Sequence, residues 1–155
     1  MTTEQKTTSK LDAILENAKP QNVEEYLAEH YEDLITDEKA FAAYMRKMIR
    51  DKNMKQQDVF IAADVPERYG YKIIAEDKHT INRDLIIRLC LGAQFSLKEA
   101  QRALKLYGMS PLYSKIPRDA VLMIAFNSRL HEMAEVDSLL EQHNMEPLAA
   151  CKENG

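Results

Sequence analysis

The stretch from Lys55 to Asp77, KQQDVFIAADVPERYGYKIIAED, holds the side chains whose types and spacing point most directly to chemistry. Two short helical patterns are broken by Asp-Val-Pro-Glu, and the second carries Arg68, Tyr69 and Lys72 at a spacing that sets them on one outward face. A guanidinium can donate two parallel bonds to a guanine edge, whereas ammonium and amide groups suit phosphate oxygens, which set register rather than sequence. Two helices joined by a tight turn, the second presenting such side chains, are the means by which a helix enters the DNA major groove.

The elements around this stretch read as helices throughout. Only four glycines and five prolines occur in 155 residues, which favours long helices over a turn-rich β architecture. Leu11, Ile14 and Leu15 recur at helical spacing before Pro20 ends the pattern. A second amphipathic helix follows, NVEEYLAEHYEDLI, with Asn22 as N-cap, Glu24 and Glu25 in its first turn, and Val23, Tyr26, Leu27, Tyr31, Leu34 and Ile35 as its apolar side. Thr36 and Asp37 open a third helix whose apolar stripe is Phe41, Tyr44, Met45, Met48 and Ile49. Beyond the central stretch, Leu85, Ile86, Leu89, Cys90 and Ala93 face inward, with Cys90 a small core residue rather than a reactive thiol. Ser96 and Glu99 form a capping box, Gly108 ends that helix, and Pro117 sits in the first turn of the next.

An internal repeat organises the second half. Residues 96–112 align without gaps on residues 132–148: Glu99 with Glu135, Leu104 with Leu140, Met109 with Met145, Pro111 with Pro147 and Leu112 with Leu148. Asn144 answers Gly108 as the residue tolerant of a left-handed helix end, and Arg83-Asp84 is echoed by Arg118-Asp119. Two helical hairpins, 82–112 and 117–148, are therefore expected, too few for a solenoid and suited to extending the core.

Composition bounds the class. The net charge is −4, yet residues 45–83 hold nine Lys/Arg against six Asp/Glu, while residues 1–44 hold four against ten. The basic excess thus coincides with the Arg68–Lys72 helix, and the first 37 residues read as a polar tail and an acidic arm suited to solvent or a basic partner. No apolar run approaches the roughly 18 residues that span a bilayer, the polar stretch MTTEQKTTSK is not expected to act as a signal peptide, and Cys90 and Cys151 fit a reduced, cytoplasmic setting.

With helices expected at 38–52, 55–64, 66–76, 82–94 and 96–107, residues 38–107 resemble the phage repressor/Cro-like (xenobiotic-response-element-type) helix-turn-helix family. Gln56 at the start of the second helix, and Val59 and Val65 flanking the turn, carry the resemblance. It implies that Gln56, with Gln57 beside it, holds backbone phosphate, that Arg68, Tyr69 and Lys72 lie on or near the groove face, and that Lys78 or Arg83 clamps the flanking backbone. Four departures from the family pattern stand out: Phe60 stands where a small residue is usual, Asp64 replaces the turn glycine, Gly70 lies inside the reading helix, and Glu76-Asp77 bring negative charge near the phosphate path. A second possibility for Tyr69-Gly70-Tyr71 is a bend that seats Tyr71 and Ile74 in the core.

The expected architecture is all-α: a tail and acidic arm over 1–37, a five-helix helix-turn-helix domain over 38–112, a repeated hairpin over 113–148 and a tail over 149–155. The expected partner is double-stranded DNA, bound without a cofactor or metal by a transcriptional regulator. A homodimer, and a protein partner at the arm or terminal hairpin, are further expectations. The competing reading is a non-enzymatic adaptor built on a degenerate helix-turn-helix scaffold. Catalytic patterns are missing: there is no phosphate-cradling glycine loop, no nucleophile elbow and no Cys-x-x-Cys, and His30, His79, His131 and His143 are dispersed.

Overall fold

The computed structural model describes residues 7–30 and 39–149, and its contacts divide the chain into two units, Met1–Glu38 and Lys39–Gly155. All regular structure among the described residues is helical. In the first unit, α1 spans Thr8–Glu16, a 3-10 turn spans Pro20–Asn22 and α2 spans Val23–Glu29. Thr7 caps α1 by accepting from the Lys10 amide at 3.3 Å, so helical structure begins within the polar N-terminal stretch. Asn22 precedes α2 but spends its side-chain oxygen on the Lys19 amide at 3.0 Å, closing the 3-10 turn instead of capping the helix. Val23 and Leu27, expected on the inward side, are exposed, while the Tyr26 ring tilts against His30 at 4.7 Å. The expected continuation of α2 to residue 35 and the Thr36–Asp37 helix start lie outside the described residues, as do Cys151 and the last six residues.

The second unit contains α3 (Ala40–Asp51), α4 (Gln56–Ala63), α5 (Glu67–Ile74), α6 (Arg83–Gly92), α7 (Leu97–Leu106), α8 (Pro117–Asn127) and α9 (Met133–Gln142). Its centre is α6, in which every residue from Leu85 to Gly92 is buried, Cys90 included. Around it pack α4, α7 and α9, while α3 lies on α5 and α7, and α8 on α7 and α9. Gly92 marks the closest crossing: a Cβ there would lie 2.8 Å from the Val59 carbonyl oxygen and 2.9 Å from the Ala63 nitrogen, so only glycine lets α6 approach the backbone of α4. The duplicated ends form as expected. Ser96 and Glu99 make a complete capping box, Pro117 opens α8, and Gly108 and Asn144 both take positive φ beyond their helices.

The turn between α4 and α5 is short. Asp64 caps α4 in the left-handed region, at φ 54°, a conformation that aspartate tolerates better than most residues. Pro66 then leads directly into α5, with the Gly70 amide bonded to its carbonyl at 2.8 Å. Phe60 and Gly70 prove to be one feature. The Phe60 ring fills the notch that Gly70 leaves in α5, and a Cβ at Gly70 would stand 2.5 Å from two of its ring carbons. The large residue on α4 is therefore matched by the absent side chain on α5, and the two helices keep their close approach. The same ring meets Tyr71 edge-on at 4.8 Å, so Tyr71 stays outside the core, half exposed, and no bend seats it there.

Gly70→Ala should destabilise the protein by about 1–3 kcal/mol through overpacking, despite its better helix propensity, and Phe60→Ala by about 3–5 kcal/mol through the cavity it leaves. In urea unfolding the double variant should lose less than the sum of the two, with a coupling of about 1 kcal/mol or more; strict additivity would contradict the interlock.

Candidate functional site

The surface of α5 divides cleanly. Tyr69, Gly70, Ile73 and Ile74 face inward, whereas Glu67, Arg68, Tyr71 and Lys72 face out. Arg68 and Lys72 therefore share the expected exposed side, and neither side chain makes a hydrogen bond or ion pair among the described residues. Tyr69 does not join them. It is 2 % exposed, and the Lys78 ammonium lies 5.3 Å above its ring, a cation–π contact that bridges the end of α5 to the segment that follows. Gln56 is the first residue of α4, half-buried, and the Gln57 amide donates to the Glu67 carboxylate at 3.4 Å, linking the starts of α4 and α5. Asp58 accepts the Lys55 amide at 3.0 Å and fixes that helix start from below.

The two acidic residues after α5 point away from a free role. The Glu76 carboxylate accepts the Ala42 amide at 3.2 Å, supplying from a distance the N-terminal cap that α3 lacks locally, and Asp77 lies 3.6 Å from the Lys39 ammonium. The segment then anchors at Thr80, whose amide donates to the Tyr107 hydroxyl at 2.8 Å, with His79 stacked on the same ring at 4.5 Å.

Arg83 departs most from expectation. Its guanidinium donates to both oxygens of Asp119 at 2.9 Å, to the Ser110 carbonyl at 3.0 Å and to the Pro111 carbonyl at 2.9 Å. Four of the five N–H donors of this guanidinium are committed within the protein, so it serves the scaffold rather than a clamp on DNA backbone. The arrangement is repeated. Arg118 donates to both oxygens of Asp84 at 3.0 and 2.9 Å, and to the carbonyls of Glu146 and Pro147 at 3.0 and 3.1 Å. Asp119 also accepts the Tyr113 amide at 2.9 Å and Asp84 the Ala149 amide at 3.0 Å. Each hairpin thus gives its arginine to the aspartate of the other, the reciprocity of an isologous contact realised within one chain. Gln101 and Asp137, which the repeat also aligns, hold the two Leu ends: Leu112 exchanges two bonds with the Gln101 amide at 2.7 and 2.8 Å, and Leu148 donates to Asp137 at 2.8 Å. Ala149, expected in a loose tail, is consequently fixed.

Arg88 is the residue that pattern reading missed. It stands alone in the run Leu-Ile-Ile-Arg-Leu-Cys-Leu and is 4 % exposed, and it donates to the carbonyl of Ala63 at 2.9 Å. A single charge inside an otherwise apolar run was the available signal. Burial pushes the Cys90 thiol two positions along well above its usual range, in keeping with a core residue. Among the described residues no three His, Cys, Asp or Glu side chains converge as a metal site. No helix among them is long and apolar enough to cross a membrane. No family model, curated protein or solved structure matches this chain.

Burial pushes the Asp84 and Asp119 carboxyls up, but the Arg118 and Arg83 hydrogen bonds, the backbone amides and the nearby positive charges outweigh it and hold both below the usual carboxylate range. Because the folded-state values are depressed, the stabilisation is fully present above the ordinary aspartate pKa of about 3.9 and is lost as pH falls through the depressed values. Asp84→Asn/Asp119→Asn should therefore cost about 2–4 kcal/mol near neutral pH. Urea midpoints should converge with wild type as pH drops below about 4, and a deficit that stays constant would contradict the crossed pairs.

Proposed function

We propose that this protein is a sequence-specific DNA-binding regulator in which α4 and α5 act as a helix-turn-helix and α5 reads the major groove. The observation that carries the reading is the placement of Arg68 and Lys72 together on the outward face of the second of two helices joined by a tight turn; like Arg46, Lys47 and Arg50 of α3, they lack a partner among the described residues. Lys52, Arg83, Arg88 and Arg118 serve internal bonds to Glu99, Asp119, backbone carbonyls and Asp84, whereas Arg68 and Lys72 stand on the exposed side of α5 without partners among the described residues. A guanidinium and an ammonium one helical turn apart (i, i+4) suit a guanine edge and an adjacent phosphate. The commitment of Glu76 to the α3 amide and of Asp77 to Lys39 supports the reading further, by directing both acidic groups toward α3. In this reading Gln56 and Lys78 contact phosphate, Tyr69 supports α5 from within, and Arg83 belongs to the scaffold. A short helix reads too few bases alone, so the active species is a two-fold dimer on two half-sites.

A second reading, an adaptor that docks another protein, draws on the exposed Tyr113, Ile116 and Ile124 at and beside α8, each about half open to solvent at 52 %, 47 % and 58 %.

A pool of random duplexes titrated with salt separates the two. The DNA reading expects an enriched sequence, affinity falling steeply as salt rises, and a loss of about tenfold or more in Arg68→Ala/Lys72→Ala with the fold intact. Failure of a folded wild type to bind any duplex at low salt would sink it and turn attention to the α8 surface.

A further inference from the structure

We propose that Arg88 is the positioning residue of the α4–α5 pair, making the setting of α5 depend on the end of the second hairpin; this deepens the DNA-binding reading above and rests on it. The geometry begins with the five N–H groups of the guanidinium. Nε donates to the Ala63 carbonyl at 2.9 Å, and Nη2 to the Asp64 carbonyl at 3.4 Å and the Asp64 carboxylate at 3.5 Å. Nη1 donates to the carbonyls of Leu148 and Ala149 at 3.3 and 3.4 Å. One rigid fork therefore spans the C-terminal end of α4, the left-handed turn residue and the chain beyond α9.

Both sides of the fork are consequential. Ala63 and Asp64 end α4 and set the direction in which Val65 and Pro66 launch α5, so whatever fixes their carbonyls fixes the exit angle. Leu148 and Ala149 are held in turn by Asp137 and by Asp84, the latter already engaged by Arg118 across the two hairpins. A continuous series of bonds thus runs from the crossed pair, through the last described residues, into the turn ahead of α5. The Asp64 carboxylate contributes little, because its side chain is 90 % exposed and 3.5 Å away; the buried charge is answered mainly by carbonyl oxygens and by the negative end of α4. That set needs the fork of arginine, and a lysine ammonium reaches one or two of its members at most.

The test follows amide exchange residue by residue in the full-length protein carrying Arg88→Lys or, separately, Leu148→Ala, which removes the buried side chain anchoring the far side while keeping the guanidinium and the Leu148 backbone carbonyl that it bonds. The Asp64 and Val65 amides should exchange about tenfold faster or more in both variants, while amides of α3 and α7 change by less than about twofold. Acceleration shared evenly by all helices would make Arg88 a general strut and overturn the proposal, as would unchanged exchange at Asp64 and Val65. With a duplex enriched by the wild type, Arg88→Lys should lose about tenfold of its preference over random DNA while its slope of affinity against salt stays the same. Unchanged preference alongside a loosened turn would also overturn it. A wild type that binds no duplex would defeat the DNA reading alone, and the exchange at Asp64 and Val65 would then decide the role of Arg88 without reference to DNA.

Discussion

The burial of α6 on every side is the constraint from which the rest of the larger unit follows. A stretch enclosed all round, as Leu85–Gly92 is, cannot send a polar group to solvent, so the one charge within it, Arg88, must be satisfied within the protein, and the surrounding backbone is arranged to do so. It also needs neighbours at very short range, which explains why Gly92 is its last residue and why α4 crosses there. Enclosure requires more helices than α3, α4, α5 and α7 provide. The second hairpin completes it, with α9 on α6 and α8 closing on α7 and α9. The duplicated hairpin is thereby part of the same core as the helix pair that precedes it, within the single unit Lys39–Gly155.

Local chemistry was the part of this fold most legible in the sequence. The Ser96–Glu99 box, the proline at the start of α8, and the Gly108 and Asn144 helix ends depend on residues within one turn of each other, and each formed where the pattern placed it. The helix-period stripes located the helices of the larger unit to within about two residues for the same reason. The repeat was legible too, although the Gln101–Asp137 correspondence was not, because an amide and a carboxylate do the same task in different chemical dress.

The errors came from partners that no spacing reveals. Arg83 resembled a phosphate clamp because its carboxylate lies 36 positions away. Tyr69 resembled a groove residue because a tyrosine suits either side of an amphipathic helix, and the side was decided by Phe60, which occupies the notch at Gly70 and leaves Tyr71 outside. Phe60, Gly70 and Asp64, taken singly, each departs from the repressor pattern. In three dimensions the first two compensate one another, and Asp64 adopts the left-handed conformation that a turn glycine would supply. Comparing residues one position at a time obscures such an exchange.

The reciprocal arginine–aspartate pairs carry a consequence for how the chain assembles. Neither hairpin can satisfy its own aspartate, since Asp84 waits on Arg118 and Asp119 on Arg83. A nascent chain that has made only the first hairpin holds an unanswered carboxylate and an α6 with one side bare, so commitment to the native state is deferred until the second is complete. The same reciprocity means that a nick in the exposed link at Ser114–Lys115 would divide the molecule into two pieces with mutual address. Each would carry half of both pairs, and reassociation from separate fragments would restore the connections that the intact chain makes within itself.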